Sequence, residues 1–118
     1  MELVCFQGTD KQNWPQINAL MKRGNWDKIF LLKDKTTEDF PVSPNCTVMA
    51  ISSAAPLLEL KEEIIKKLKP LMKNDFEIAL SIASSTGKES MALISALLCI
   101  PVGIRLVAFT KNGIDFIN

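Results

Sequence analysis

Histidine is absent from this chain of 118 residues, and with it goes the side chain that most readily titrates near neutral pH. Imidazole general-base catalysis, a Ser-His-Asp relay and histidine-ligated zinc are therefore excluded by composition. Cysteine is scarce: Cys5, Cys46 and Cys99 are odd in number and far apart, Cys5 and Cys99 among apolar neighbours, unlike a metal cluster or a secreted disulfide framework. They are expected to be buried thiols in a reducing compartment, and no metal or cofactor is expected. Excess charge of one sign is missing too, since 14 Lys and Arg face 13 Asp and Glu for a net +1. No global field draws in duplex nucleic acid or an anionic membrane, so any anion site has to be local. Long apolar runs are also lacking. The uncharged, mostly apolar stretch Ser90 to Ile104 is broken by Pro101 and Gly103 and falls short of the roughly 20 residues a bilayer span needs. The opening Met1-Glu2-Leu3-Val4 carries an acid where a signal peptide has a basic region. A soluble cytoplasmic protein is the expectation.

What remains is an ordinary globular balance, 47% hydrophobic and 23% charged, enough for a packed core in one domain over residues 1–118. Leu3 to Phe6 is a short apolar run that stops at the polar Gln7-Gly8-Thr9-Asp10, so a buried strand leads into a loop. Trp14, Ile17, Leu20 and Met21 fall at helical spacing and Gly24 supplies a stop. Ile29 to Leu32 and Cys46 to Ile51 read as strands, separated by the charged and proline-bearing surface connection 33–45. Leu57, Leu60, Ile64 and Leu68 mark an amphipathic helix entered near Pro56, with Ser52 and Ser53 as its expected N-caps. Phe76 to Ile82 predicts a central strand, and Met91 to Ile100, apolar on nearly every face, predicts a helix covered on both sides. Two final β runs, 104–109 and 114–117, flank Asn112-Gly113, a pair that favours a tight hairpin turn.

The order β-α-β-β-α-β-α-β-β predicts an α/β fold: a Rossmann-like three-layer sandwich, its sheet mostly parallel, with a C-terminal antiparallel hairpin. Ligands of such sheets bind at the carboxyl ends of the strands, so Gln7 to Asp10, Ser52 to Ala55 and Ser84 to Ser90 are the loops to search. The strongest signal is Ser84-Ser85-Thr86-Gly87-Lys88-Glu89-Ser90 between a strand and a helix. Small hydroxylated residues and Gly87 let backbone N–H groups reach a phosphate, the helix start adds partial positive charge, and Lys88 adds a full one. A Walker A loop it is not, with Ile82 in place of the first Gly and Glu89 in place of the hydroxyl after Lys88. A plainer role is also open, in which Ser84 or Ser85 caps the helix and Lys88 and Glu89 form its solvated first turn. Trp14 and Trp26 are expected in core or interface positions.

Gly8-Thr9, the Thr86-Gly87-Lys88 loop after the central strand, Met91-Ala92-Leu93 on an apolar helix and the closing strand pair together resemble the CRISPR-associated Rossmann fold (CARF) domains. The resemblance covers nearly the whole chain in layout, while its specific part is confined to residues 7–10 and 84–93. Ser85 stands where family members usually carry a second Gly. Such domains generally form homodimers and bind cyclic oligoadenylate second messengers across the two-fold axis in antiviral defence, and a few cleave them as metal-independent ring nucleases. The resemblance implies that Ser84, Ser85, Thr86, Gly87 and Lys88 contact phosphate or ribose and that Gly8, Thr9 and Asp10 line the adjoining wall. It also implies that an effector or DNA-binding domain commonly follows the sensor. Two alternatives stand beside it. One is an ATP-pyrophosphatase-like enzyme, echoed by Ser84 to Leu93, although two Gly of that loop are missing and its Asp is Glu89. The other is a dimerisation module whose functional surface is the apolar helix.

Overall fold

The computed structural model describes residues 1–39, 41–72 and 77–118. Six strands form one sheet in the order β3-β2-β1-β4-β5-β6, with β1 Glu2–Gln7, β2 Ile29–Asp34, β3 Cys46–Ile51, β4 Glu77–Ser81, β5 Gly103–Thr110 and β6 Gly113–Phe116. The first five run parallel. Strand β6 turns back antiparallel on β5, from Thr110 opposite Gly113 to Val107 opposite Phe116. Gly113 takes a φ of 105° in that turn, a conformation glycine adopts without a Cβ clash. Helices α1 Trp14–Arg23, α2 Leu57–Leu68 and α3 Gly87–Cys99 complete the chain. The element order is the one expected from sequence. Phe76, expected to open the central strand, lies outside the described residues.

Period-two alternation divides the strand residues between two cores. On one face Leu3, Cys5, Leu31, Ala79 and Val107 meet Ile17, Leu20 and Met21 of α1. On the other, Val4, Phe6, Phe30, Leu32 and Leu80 meet Leu60 and Ile64 of α2 and Ala92, Leu93 and Ala96 of α3. From β1 the chain first moves outward to β2 and β3, then returns past β1 to β4 and β5. Right-handed crossovers in opposite directions place α1 on one face and the later pair on the other. The strand order therefore reverses between β1 and β4, and the loops leaving those two strands are neighbours.

Two expectations need correction. Helix α3 is not covered on both sides: Met91, Leu98 and Cys99 are exposed, because three and a half turns offer more apolar surface than one sheet face and α2 can cover. Nor are the thiols uniformly buried. Cys5 is inside the sheet, Cys46 is half-buried and Cys99 stands at the solvent side of the last α3 turn. Burial pushes the Cys5 thiol pKa well above its ordinary value, with a smaller contribution from Cys46, and burial also raises that of Cys46.

Adjacent leucines make the packing testable. Leu97 is 0% exposed and Leu98 is 72% exposed. Leu97→Ala should lower unfolding free energy by about 2–5 kcal/mol, whereas Leu98→Ala should change it by no more than about 0.5 kcal/mol in the monomer. Urea denaturation of the two variants at low protein concentration measures both.

Candidate functional site

Where the strand order reverses, two backbones come close. The Gly8 N–H donates to Ser84 Oγ at 3.0 Å, and a Cβ built on Gly8 would sit 1.9 Å from the Ser84 carbonyl oxygen. No other residue fits at position 8 without displacing the second loop. Ser84 is buried by this contact. The Gly8 carbonyl in turn accepts from Trp14 Nε1 at 2.7 Å, which ties the first loop to the start of α1. Lys11 lies over the Trp14 ring, 5.7 Å from its centroid. Trp14 is thus half-buried at the site rather than deep in either core.

The second loop is ordered by its own hydroxyls. Ser85 Oγ donates to the Ile82 carbonyl at 3.0 Å and lies 2.6 Å from Ser90 Oγ. Thr86, not Ser84 or Ser85, caps α3: its Oγ1 accepts from Glu89 N at 3.2 Å, while Glu89 Oε1 accepts from Thr86 N at 2.8 Å. This reciprocal pair is a capping box. It starts α3 at Gly87, four residues before the apolar run that marked the helix in the sequence, and buries Glu89. The Thr-x-x-Glu spacing at 86–89 was the available signal. Ser90 N donates to the Thr86 carbonyl at 2.9 Å, leaving the N–H groups of Gly87 and Lys88 outside the helix ladder. Around Gly87 a Cβ meets no atom within 4 Å, so this side of the helix start is open.

Lys88 is exposed and reaches across to the third loop, its Nζ donating to the Ser53 carbonyl at 2.9 Å. Ser53 N donates to Asp34 Oδ1 at 2.9 Å. Thr36 hydroxyl and N–H, then Ser53 N–H, hold the Asp34 carboxyl below its usual range. Neither Ser52 nor Ser53 caps α2, whose N-cap position is Pro56. The turn closed by Ala55 N on the Ser52 carbonyl, at 3.0 Å, separates them from the helix. Thr9 and Asp10 are exposed, and Asp10 Oδ1 accepts from Gln12 N at 3.0 Å in its own turn. The fold therefore brings Gly8, Ser84 to Lys88 and Ser53 to one edge of the sheet, with Thr9 and Asp10 at its margin.

Three residues at this edge were not singled out from sequence. Gln16 of α1 accepts from Phe109 N at 2.5 Å and donates to the Phe109 carbonyl at 2.8 Å. It substitutes for the strand partner β5 lacks where β4 has ended. Lys33 and Asp34 close β2, and Lys33 follows Ile29 and Leu31 on the α1 face of that strand. Extending the period-two pattern by one step would have placed Lys33 inside.

Among the described residues no group of three His, Cys, Asp or Glu could hold a metal ion, and no helix is long and apolar enough to cross a membrane. The chain matches no family model, no curated protein and no solved structure. What can be stated of its class is an α/β fold with a mostly parallel six-stranded sheet and three helices, compatible with a Rossmann-like fold.

The two site glycines separate sharply. Gly8→Ala should cost about 1–3 kcal/mol through overpacking against the Ser84 backbone, while Gly87→Ala should stay within about 0.5 kcal/mol. Thr86→Ala should cost about 1 kcal/mol through loss of the cap. Chemical denaturation of the three variants ranks them.

Proposed function

We propose that this protein is a CARF-like receptor: a Rossmann-like three-layer sandwich with a terminal hairpin that binds a cyclic oligoadenylate across a homodimer. The observation that carries the reading is the Gly8–Ser84 contact, which holds the loops leaving β1 and β4 against each other where the strand order reverses. Ligands of open α/β sheets gather at such a reversal. The outward N–H groups of Gly87 and Lys88, the α3 dipole and the Lys88 ammonium then supply a local anion site on a nearly neutral chain. Thr86 and Ser85 fix the loop through their internal bonds, and the exposed Thr9 and Asp10 stand at the margin for ribose contacts. Any cleavage of the ring would proceed without metal: a ribose 2′-hydroxyl loses its proton to solvent and attacks the adjacent phosphate, the bond to the next nucleotide's 5′-oxygen breaks, a 2′,3′-cyclic phosphate forms and the 5′-oxygen leaves as a hydroxyl, with Lys88 stabilising the developing charge.

The second copy is supported by the outer face of α3. Past Lys88 and Glu89 the helix carries no charge, and its exposed side presents Met91 and Leu98 one above the other over two turns. An uncharged apolar stripe meets itself across a two-fold axis without like-charge repulsion. With the two-fold axis running along the paired helices, the helix start of each subunit would face one shared site.

Binding to the native state raises apparent stability. Cyclic tetra- or hexa-adenylate should raise the melting temperature, and ATP with magnesium should not. A shift with ATP alone would instead favour the pyrophosphatase-like enzyme, and no shift with any nucleotide would leave the dimerisation module. Lys88→Ala should weaken ring binding by about tenfold, the loss of roughly one charge-assisted hydrogen bond, with the melt of the free protein almost unchanged.

For the second copy, analytical ultracentrifugation should show the native chain as a dimer and Leu98→Asp as a folded monomer. A monomeric native chain at high concentration removes the shared site.

A further inference from the structure

Among the described residues, Lys33 is the one lysine of this edge whose side chain is turned inward, only 9% exposed, yet its ion-pair partner Asp39 is 96% exposed. Its Nζ donates to Asp39 Oδ1 at 2.6 Å and to the Thr37 carbonyl at 2.8 Å. An ammonium has three donors, so one remains. The ammonium is therefore met from solvent at the point the Asp39 carboxylate occupies.

A second observation lies on the neighbouring strand. Gln7 is register partner to Lys33 and is 1% exposed. Its Nε2 donates to the Glu38 carbonyl at 2.9 Å, but its Oε1 is buried with no hydrogen-bond partner, as is Thr37 Oγ1 in the same segment. An unpaired buried amide oxygen costs free energy that a protein group or ligand normally offsets. Residues 37–39 thus lie over the ends of β1 and β2, held by Gln7 and Lys33 and, at the surface, by the 2.9 Å Lys11–Glu38 ion pair.

We infer that Lys33 and Gln7 form a ribose-phosphate subsite that the 37–39 segment covers, with the Asp39 carboxylate standing where a phosphate oxygen of the ligand binds. The ammonium takes the phosphate, and Gln7 Oε1 accepts a ribose hydroxyl. Gly8 directly follows Gln7, so the subsite stands at the end of β1 next to the β1–β4 crevice. It rests on the reading of that crevice as a nucleotide site and extends it to the end of β2. The ligand class is a nucleotide phosphate flanked by a free hydroxyl. Asp39 acts as an internal competitor, since removing its carboxylate leaves the buried Lys33 ammonium seeking a counter-ion.

The test is anion rescue in the full chain. Asp39→Asn should melt below the native protein in chloride and regain stability as inorganic phosphate replaces chloride at equal ionic strength. Its half-effective phosphate concentration should be about tenfold below that of the native protein. Lys33→Met combined with Asp39→Asn should lose this response. Ribose 5-phosphate should act at lower concentration than phosphate on Asp39→Asn, and Gln7→Met should erase that difference. The inference is overturned if phosphate shifts Asp39→Asn no more than the native chain, or if the double variant keeps the response. Equal action of the two probes on Asp39→Asn overturns the role of Gln7. Should Asp39→Asn not fold, the Lys33 ammonium resonance of the native protein, followed by NMR, should move saturably with phosphate; a fixed resonance overturns the subsite. A cyclic oligoadenylate that stabilises the native protein, with no anion rescue, would sink only this subsite. Rescue without any oligoadenylate effect would sink only the messenger reading.

Discussion

The close approach of Gly8 to Ser84 is the constraint on which the site depends. Two parallel strands, consecutive in the sheet but far apart in sequence, end side by side, and their exit loops have to share the space above them. Glycine on one side and a buried hydroxyl on the other resolve the crowding: the missing Cβ lets the backbones approach, and Ser84 Oγ satisfies an amide that neither strand can reach. With that contact made, the second loop has a fixed path. The Thr86–Glu89 box then sets where α3 begins and in which direction its first N–H groups point. Trp14 and Gln16 fasten α1 to the same edge, one through the Gly8 carbonyl and one through the Phe109 backbone.

Electrostatics at this edge is local because the chain has almost no net charge. Lys11 pairs with Glu38 and Lys33 with Asp39, while Lys88 and Asp34 meet only through the Ser53 backbone, and the exposed contacts among these contribute little to stability. Their role is in arrangement. Lys88 is placed over the third loop through Ser53, which is itself anchored on Asp34, so the cation of one loop depends on the position of two others. Only Lys33 is desolvated, and a desolvated ammonium requires a partner in a way a surface lysine does not.

Much of this was legible in the sequence. Element order followed from the alternation of apolar runs and polar breaks. Strand β3 was visible through its β propensity, and the helix stripe Leu57, Leu60, Ile64 and Leu68 because that helix turns one apolar face to the core. The loops carrying Gly8 and Ser84 to Lys88 were visible as small, hydroxylated breaks at strand ends. Less legible were features set by partners distant in the chain. Ser52 and Ser53 looked like caps because capping is a local preference, yet Ser53 is claimed by Asp34 from another strand. The run from Met91 to Ile100 looked buried all round, since composition does not record how much neighbouring surface is available to cover a helix.

Local chemistry thus determined what each segment becomes: which residues form strands, where a turn needs glycine, and how a Thr-x-x-Glu pair opens a helix. Those outcomes depend on interactions within a few residues, and the order of letters contains them. The tertiary structure alone decided which segments meet. The reversal between β1 and β4 joins residues 76 positions apart, the sheet turns Lys33 inward beside Gln7, and the packing leaves one side of α3 bare. Each follows from strand neighbours chosen by the whole fold, because pairing energy is gained only when distant parts of the chain are already in register.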